Sequence, residues 1–297
     1  MYERFFGLVE RPFDLTPNPR YLFLTPKHRE ALAHLQYGMA GRKGITVLVG
    51  EAGTGKTTLV HAALEQQRDQ NACSVYLSNP TLKRDEFFEF LADGFGLTPA
   101  AAGSKTRLLL ELTRLVLDRQ AAGGVTALII DEAQRLSYEL LEEIRLLGNI
   151  ETAVEKLLPV VLVGQPELTD RLNEPSLRQL KQRVALRCTL PALDGPATAA
   201  YITNRVRIAG GDSRTLFTSE AIAIIFERSR GIPRTISVIC DNALVGGFAA
   251  DQRPVGRDIV LEVCRDFDFQ SNQPALAGSD APLEACAPAG APLRSFF

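Results

Sequence analysis

The plainest chemistry in the chain lies in one glycine-rich run. Gly50, Glu51, Ala52, Gly53, Thr54, Gly55, Lys56 and Thr57 fit G-x-x-x-x-G-K-[ST], with Thr58 next. Glycines let a backbone wrap an anion and turn its N–H groups inward. A helix opening at Lys56 would aim the positive end of its dipole at the same anion. The ammonium of Lys56 would reach the β- and γ-phosphates of a nucleotide, and the Thr57 hydroxyl would hold Mg2+. The ligands this spacing calls for are ATP and Mg2+.

A second constellation follows. Leu128, Ile129 and Ile130 run into Asp131 and Glu132. At the carboxyl end of a strand Asp131 would face the metal, making Thr57 and Asp131 the metal-side pair. Glu132 would then orient and deprotonate the attacking water. A third apolar run ends in Gly164-Gln165-Pro166. The Gln165 amide there would touch the γ-phosphate or the attacking water; the alternative is an ordinary turn residue.

Arginines complete the list. Between Ser176 and Leu193 there is no acid, yet Arg178, Lys181, Arg183 and Arg187 occur. An arginine from this stretch would stabilise charge on a transferring phosphoryl group in a neighbouring subunit, with Arg183 the first candidate and Arg178 the second. A solvated charged face is the other reading. Arg234, in Gly231-Ile-Pro-Arg234 at a helix start, would cross back to the γ-phosphate and couple nucleotide state to the angle between domains; otherwise it is a surface arginine. His28, His34 and His61 have no metal-ligand spacing and read as structural.

These residues need a scaffold. Apolar runs predict strands over 45–49, 74–77, 125–130, 159–163 and 184–190. Helical spacing predicts helices over 27–41, 56–68, 85–95, 105–119 and 138–147. Strands alternating with helices argue a parallel sheet covered on both faces. After Pro191 the pattern turns all-helical, over 197–209, 219–229, 233–248 and 257–267. The fold class expected is α/β: a P-loop parallel-sheet core sandwiched by helices, followed by a small helical lid. The domain reading is an aromatic and proline-rich arm (1–26) packed on the core, the core (27–191), the lid (192–267) and a tail (268–297). The tail's Ala/Pro composition predicts disorder.

Composition sets limits. Hydrophobic residues at 45% and charged residues at 23% are a globular balance, so whole-chain disorder and collagen are excluded. A net charge of -2 supplies no overall positive field to release counterions from nucleic acid. No apolar run reaches the ~18 residues of a membrane span. The start has no signal-peptide pattern, and the five cysteines show no CxxC pair. The expected compartment is the cytoplasm.

Together these residues resemble the AAA+ ATPases. The arm, Phe5-Phe-Gly-Leu, Arg11-Pro-Phe, Leu15-Thr-Pro-Asn-Pro and His28-Arg-Glu-Ala-Leu, narrows the resemblance to the ExeA type, named for general secretion pathway protein A. Asp131-Glu-Ala-Gln134, Glu143-Ile-Arg145, Val163-Gly-Gln-Pro-Glu-Leu168 and Gln179-Leu-Lys-Gln-Arg183 fit the same type, over about residues 1–266. The resemblance implies that Asp131-Glu132 is Walker B, Gln165 sensor 1, Arg183 or Arg178 the finger and Arg234 sensor 2. It also implies nucleotide-dependent homo-oligomers, rings among them, with sites between subunits. Secretion members continue into a membrane-spanning helix and a peptidoglycan-binding domain, where this sequence runs into the Ala/Pro tail. The reading is therefore an ATPase that drives or gates a secretion, pilus or exopolysaccharide export system through a separate inner-membrane partner. The competing readings are an ATP-dependent DNA-binding regulator resembling transposition-helper ATPases, which the net charge disfavours, and a nucleotide switch without turnover, against which Glu132 argues.

Overall fold

The computed structural model describes residues 1–15, 19–68 and 71–269. Five strands, β1 (Ile45–Gly50), β2 (Ala72–Leu77), β3 (Val125–Ile130), β4 (Val160–Gly164) and β5 (Val184–Leu190), form one sheet in the order β2-β3-β4-β1-β5. Every neighbouring pair is parallel. All residues of β1 and β4 are buried, as strands covered on both faces must be.

The alternation of side chains along each strand divides the core in two. Leu128 and Ile130 of β3 face one layer with Val160 and Leu162 of β4, Leu91, Leu108, Leu112 and Ile144. These last four belong to the helices Arg84–Gly94, Lys105–Ala121 and Tyr138–Leu147. Ala127 and Ile129 face the opposite layer with Val161, Val163, Leu35 and Leu59, the last two from the helices Pro26–Ala40 and Lys56–Arg68.

Beyond β5 the named elements among the described residues are all helices, Gly195–Ile208, Ser213–Leu216, Ser219–Ser229, Pro233–Ala249 and Arg257–Asp266, with one isolated bridge between Phe217 and Val255. They bury a separate cluster around Ile202, Val206, Ile225, Ile236, Ile239 and Leu244. Asp194 and Thr218 cap two of these helices by accepting from Ala197 N–H and Ala221 N–H, which explains their sharp starts.

The arm departs from expectation. Its aromatic residues do not pack on the sheet core. Tyr2, Phe6, Leu8 and Phe13 join the hydrophobic cluster of the lid helices. Tyr2 to Phe6 form a short helix, ended by Gly7 in a left-handed conformation, and the Tyr2 hydroxyl donates to Asp241 on the helix Pro233–Ala249. Arg205 fastens the rest of the arm. Its guanidinium donates to the carbonyls of Pro12 (2.7 Å) and Asp14 (3.2 Å) and lies 4.8 Å from the centre of the Tyr21 ring. The physical reason is apolar burial: the helices beyond β5 present apolar side chains that the arm aromatics join in one cluster, removing both from water.

Two residues of the expected tail, Asp268 and Phe269, are described and pack on the lid. Phe269 N–H donates to Cys264 O, and its ring stacks on Phe267. The remainder of the expected tail lies outside the described residues, as does Cys286. The four described cysteines, Cys73, Cys188, Cys240 and Cys264, are free thiols. Among the described residues no helix is long and apolar enough to cross a membrane.

Candidate functional site

β1 ends at Gly50, and the helix Lys56–Arg68 begins at Lys56, so the intervening loop must reverse direction in five residues. Gly53 (φ 81°) and Gly55 (φ 96°) adopt the left-handed backbone that this turn requires. The Lys56 ammonium is buried and lies across the loop, donating to the carbonyls of Gly50 (2.8 Å) and Glu51 (2.9 Å). Burial lowers its pKa, while Glu132, Asp131 and Glu51 oppose that shift.

Strand order places the acids. β4 lies between β1 and β3, so the strand leading into the loop and the strand leading into Asp131 are two spacings, about 10 Å, apart. Asp131, buried, accepts from Thr57 Oγ1 at 2.6 Å and from the Tyr76 hydroxyl at 2.8 Å, both on Oδ2. Its other oxygen, Oδ1, accepts from Glu132 N–H at 2.8 Å. Burial, with the bond to Asp131, pushes the Tyr76 phenol far above its ordinary range, so it remains a donor at any physiological pH.

Glu132 occupies a left-handed backbone conformation, φ 51° and ψ 35°. For a non-glycine residue that costs on the order of 1–3 kcal/mol, and such strain persists only where the surroundings over-determine it. Glu132 Oε2 accepts from Gln134 Nε2 (2.6 Å) and from Gln165 Nε2 (3.2 Å). Gln165 reaches it because β4 is the intervening strand and Gln165 follows its last residue.

The lid closes the site. Arg234 N–H donates to Gly53 O at 3.2 Å, and a Cβ on Gly53 would stand 2.8 Å from Arg234 Cβ and 3.1 Å from Ile232 Cγ2. The start of the helix Pro233–Ala249 therefore rests directly on the phosphate-type loop. Between loop, lid and arm is a cavity of 410 Å³ whose lining includes Gly53 to Thr58, Glu132, Arg234, Tyr21 and Phe23. That volume falls in the range of small-molecule and cofactor sites.

Comparison with known proteins fits this geometry. The family model described as an AAA domain matches residues 39–172. Over 250 residues, 84% of this chain, the sequence is 43% identical to general secretion pathway protein A of Aeromonas hydrophila. The chain is an AAA+ protein of the general secretion pathway protein A type. It spans about half of that relative's length, 45%. Solved structures share the AAA+ fold at lower identity. Cdc6p from Pyrobaculum aerophilum is 16% identical with a TM-score of 0.67, over 87% of this chain and 71% of that one. The ORC2 protein of Aeropyrum pernix is 19% identical with a TM-score of 0.62, over 86% and 71%. The RuvB branch migration motor of Thermotoga maritima is 19% identical with a TM-score of 0.51, over 82% and 70%.

Within this AAA+ chain the arginines separate. Arg234 lines the cavity. Arg178 is exposed at the start of the short helix Arg178–Lys181. Arg183 is at the far end of the sheet: its carbonyl accepts from Ile45 N–H at the amino end of β1, some 20 Å of strand from the loop. It stands near Glu142 and Glu151, where it helps hold both carboxyls below their usual range after their direct partners Arg145 and Lys156.

Two residues at the site escaped the sequence reading. His28, read only as structural, is buried in the cavity wall, with Nδ1 2.7 Å from Thr25 Oγ1 and a hydrogen bond to the Thr54 backbone. Its position one turn after the Thr25 cap was the only available signal. Gln134 was visible as part of Asp131-Glu-Ala-Gln134, but nothing in that spacing assigns its partners.

Proposed function

We propose that the chain binds ATP with Mg2+ and hydrolyses it to drive or gate assembly of a secretion, pilus or exopolysaccharide export system. The observation that carries the reading is the convergence of Lys56, Thr57, Asp131, Glu132 and Gln165 on one edge of the sheet. The Thr57 hydroxyl and Asp131 carboxylate, 2.6 Å apart, are the hard oxygen donors that Mg2+ takes. Bound there, Mg2+ would neutralise charge on the β- and γ-phosphates. Gly53 to Thr57 would cradle the phosphates by their N–H groups, and Lys56 would exchange its loop carbonyls for phosphate oxygens. Glu132 would orient water and accept its proton; Gln165 would sense the γ-phosphate or that water.

Arg234, seated over Gly53, would make the lid angle depend on the nucleotide. Arg183, or else Arg178, would serve a neighbouring subunit, since Arg183 is too distant from its own loop. This supports a nucleotide-dependent homo-oligomer, with a ring as the arrangement that would give every site a finger. The export role and an inner-membrane partner rest on the kinship with general secretion pathway protein A, the chain itself working in the cytoplasm or peripherally at the membrane.

The test uses two variants. Lys56→Ala should abolish nucleotide binding. Glu132→Gln should retain ATP, assemble with it in size-exclusion chromatography and lose turnover by about 10²–10⁴-fold. Wild-type hydrolysis in both would end the proposal.

A further inference from the structure

We infer that Gln134 is a positioning residue for the base, tying Glu132 to the end of β4 through one amide with no freedom to flip. The inference rests on the hydrolase reading above and assigns a control to it.

The amide orientation follows from its partners. Gln134 Oε1 lies 3.1 Å from Gln165 N, and a backbone N–H only donates, so the atom facing it is the carbonyl oxygen. The amide nitrogen must then face Glu132 Oε2, at 2.6 Å. One side chain thereby reads two elements: the turn that carries the base and the residue after β4 that would sense phosphate. Gln165 closes the triangle with its own amide on the same Glu132 oxygen.

The surroundings hold Gln134 in this place. Gln134 sits in the short 3-10 turn Ala133–Arg135. Arg171, from the helix Pro166–Leu172, donates to the carbonyls of Gln134 (2.5 Å) and Leu136 (2.7 Å), pinning the turn from the β4 side. Arg171 is itself stacked 5.0 Å from the Tyr138 ring. At Gly164, the last residue of β4, a Cβ would stand 2.8 Å from Gln134 Oε1. The glycine therefore leaves room for the amide oxygen. Glu132 also needs such support, because its left-handed backbone persists only where surrounding contacts over-determine it.

Both amide groups bear on one carboxylate oxygen, so the other is left to meet water. Loss of the Gln134 donor would let the carboxylate swing, and a misplacement of about 1 Å at a reacting group can cost about 10²-fold in rate. Binding of ATP, made by the loop and lid, would be unaffected. A displacement of Gln165 would equally be transmitted to Glu132 through Gln134.

The discriminating variant is Gln134→Glu. It has the same size and keeps an oxygen for Gln165 N–H, but presents a like charge in place of a donor. Gln134→Met keeps the length and removes both functions. Expected are an ATP Kd within about 2-fold of wild type, a melting temperature close to wild type for at least one variant, and kcat lower by about 10²-fold, more for Glu than for Met. In the Glu132→Gln background Gln134→Met should add no further loss, since residues acting as a unit are non-additive. A kcat near wild type in either folded variant, a rise in Kd that accounts for the loss, or an additive loss in the double variant overturns the positioning role while leaving the hydrolase reading intact. A wild-type protein that turns over no ATP overturns both.

Discussion

Gly231→Ala should destabilise the protein by about 2–6 kcal/mol, and the cause is backbone geometry at the joint between sheet and lid. Gly231 has φ 71°, and an alanine Cβ there would fall 1.8 Å from the Leu193 carbonyl oxygen and 2.8 Å from its carbonyl carbon. Backbone cannot rotate aside as a side chain does. A left-handed L residue costs about 1–2 kcal/mol, and overpacking of a rigid site about 1–3 kcal/mol. Moving the two segments apart would also stretch the bond from Leu193 N–H to Gly231 O, 2.8 Å long, whose net worth is about 1 kcal/mol. The smaller entropy of the unfolded alanine chain returns only about 0.4–1 kcal/mol. For a domain of this size the melting temperature should fall by about 4–24 °C. The same shift would lift Ile232 and Arg234 off Gly53, so ATP affinity should fall with it. Thermal denaturation followed by circular dichroism, paired with titration of a fluorescent ATP analogue, reads both effects. A variant melting within about 1 °C of wild type, with unchanged affinity, would refute the joint as described.

Two further outcomes follow from packing and charge. Burial lowers the pKa of His28 below its ordinary 6.5, so between those values the unfolded chain binds more protons than the folded one. Its contribution is therefore complete above about pH 6.5 and is lost as pH falls toward the depressed native value; urea unfolding at pH 7.5 and 5.5 should show a drop that His28→Asn reduces. Phe6, 1% exposed in the lid cluster, should cost about 3–5 kcal/mol as alanine and should free the arm for limited trypsin digestion after Arg4, which a merely surface-bound arm would not gain.

The legible part of the sequence was whatever repeats or punctuates. The strand runs ended within one or two residues of expectation because a glycine, proline, serine or charged residue follows each apolar run, as at Gly50, Ser78, Asp131 and Pro191. The helix Pro166–Leu172 was not visible, since Gly164-Gln-Pro reads as a turn and the seven residues are too few for periodicity. The short helix Tyr2–Phe6 was masked by the prolines that follow it. Phe6 and Phe13 announced burial without naming a partner, because an aromatic ring carries no record of which surface it will cover. At the site, Lys56, Thr57, Asp131 and Glu132 were found by spacing, whereas the Gln134 and His28 contacts depend on strand order and a helix cap meeting in space. Arg183 was visible as a charge, but its distance from the loop follows only from β5 running beside β1.

The docking of the arm on the lid sets an order of events during synthesis. Tyr2 and its partner Asp241 are 239 residues apart. At ~5–20 residues per second, a ribosome takes about 12–48 s to make the one after the other. Through that interval the sheet can assemble, but Phe5, Phe6 and Phe13 have no finished surface to cover. The arm, made well before the lid, is among the last parts to settle, and a chain interrupted before the helix Pro233–Ala249 would carry its most aromatic segment uncovered. That makes the arm a natural point of contact for chaperones on the nascent protein, and makes its protection from protease a direct report that the lid is complete.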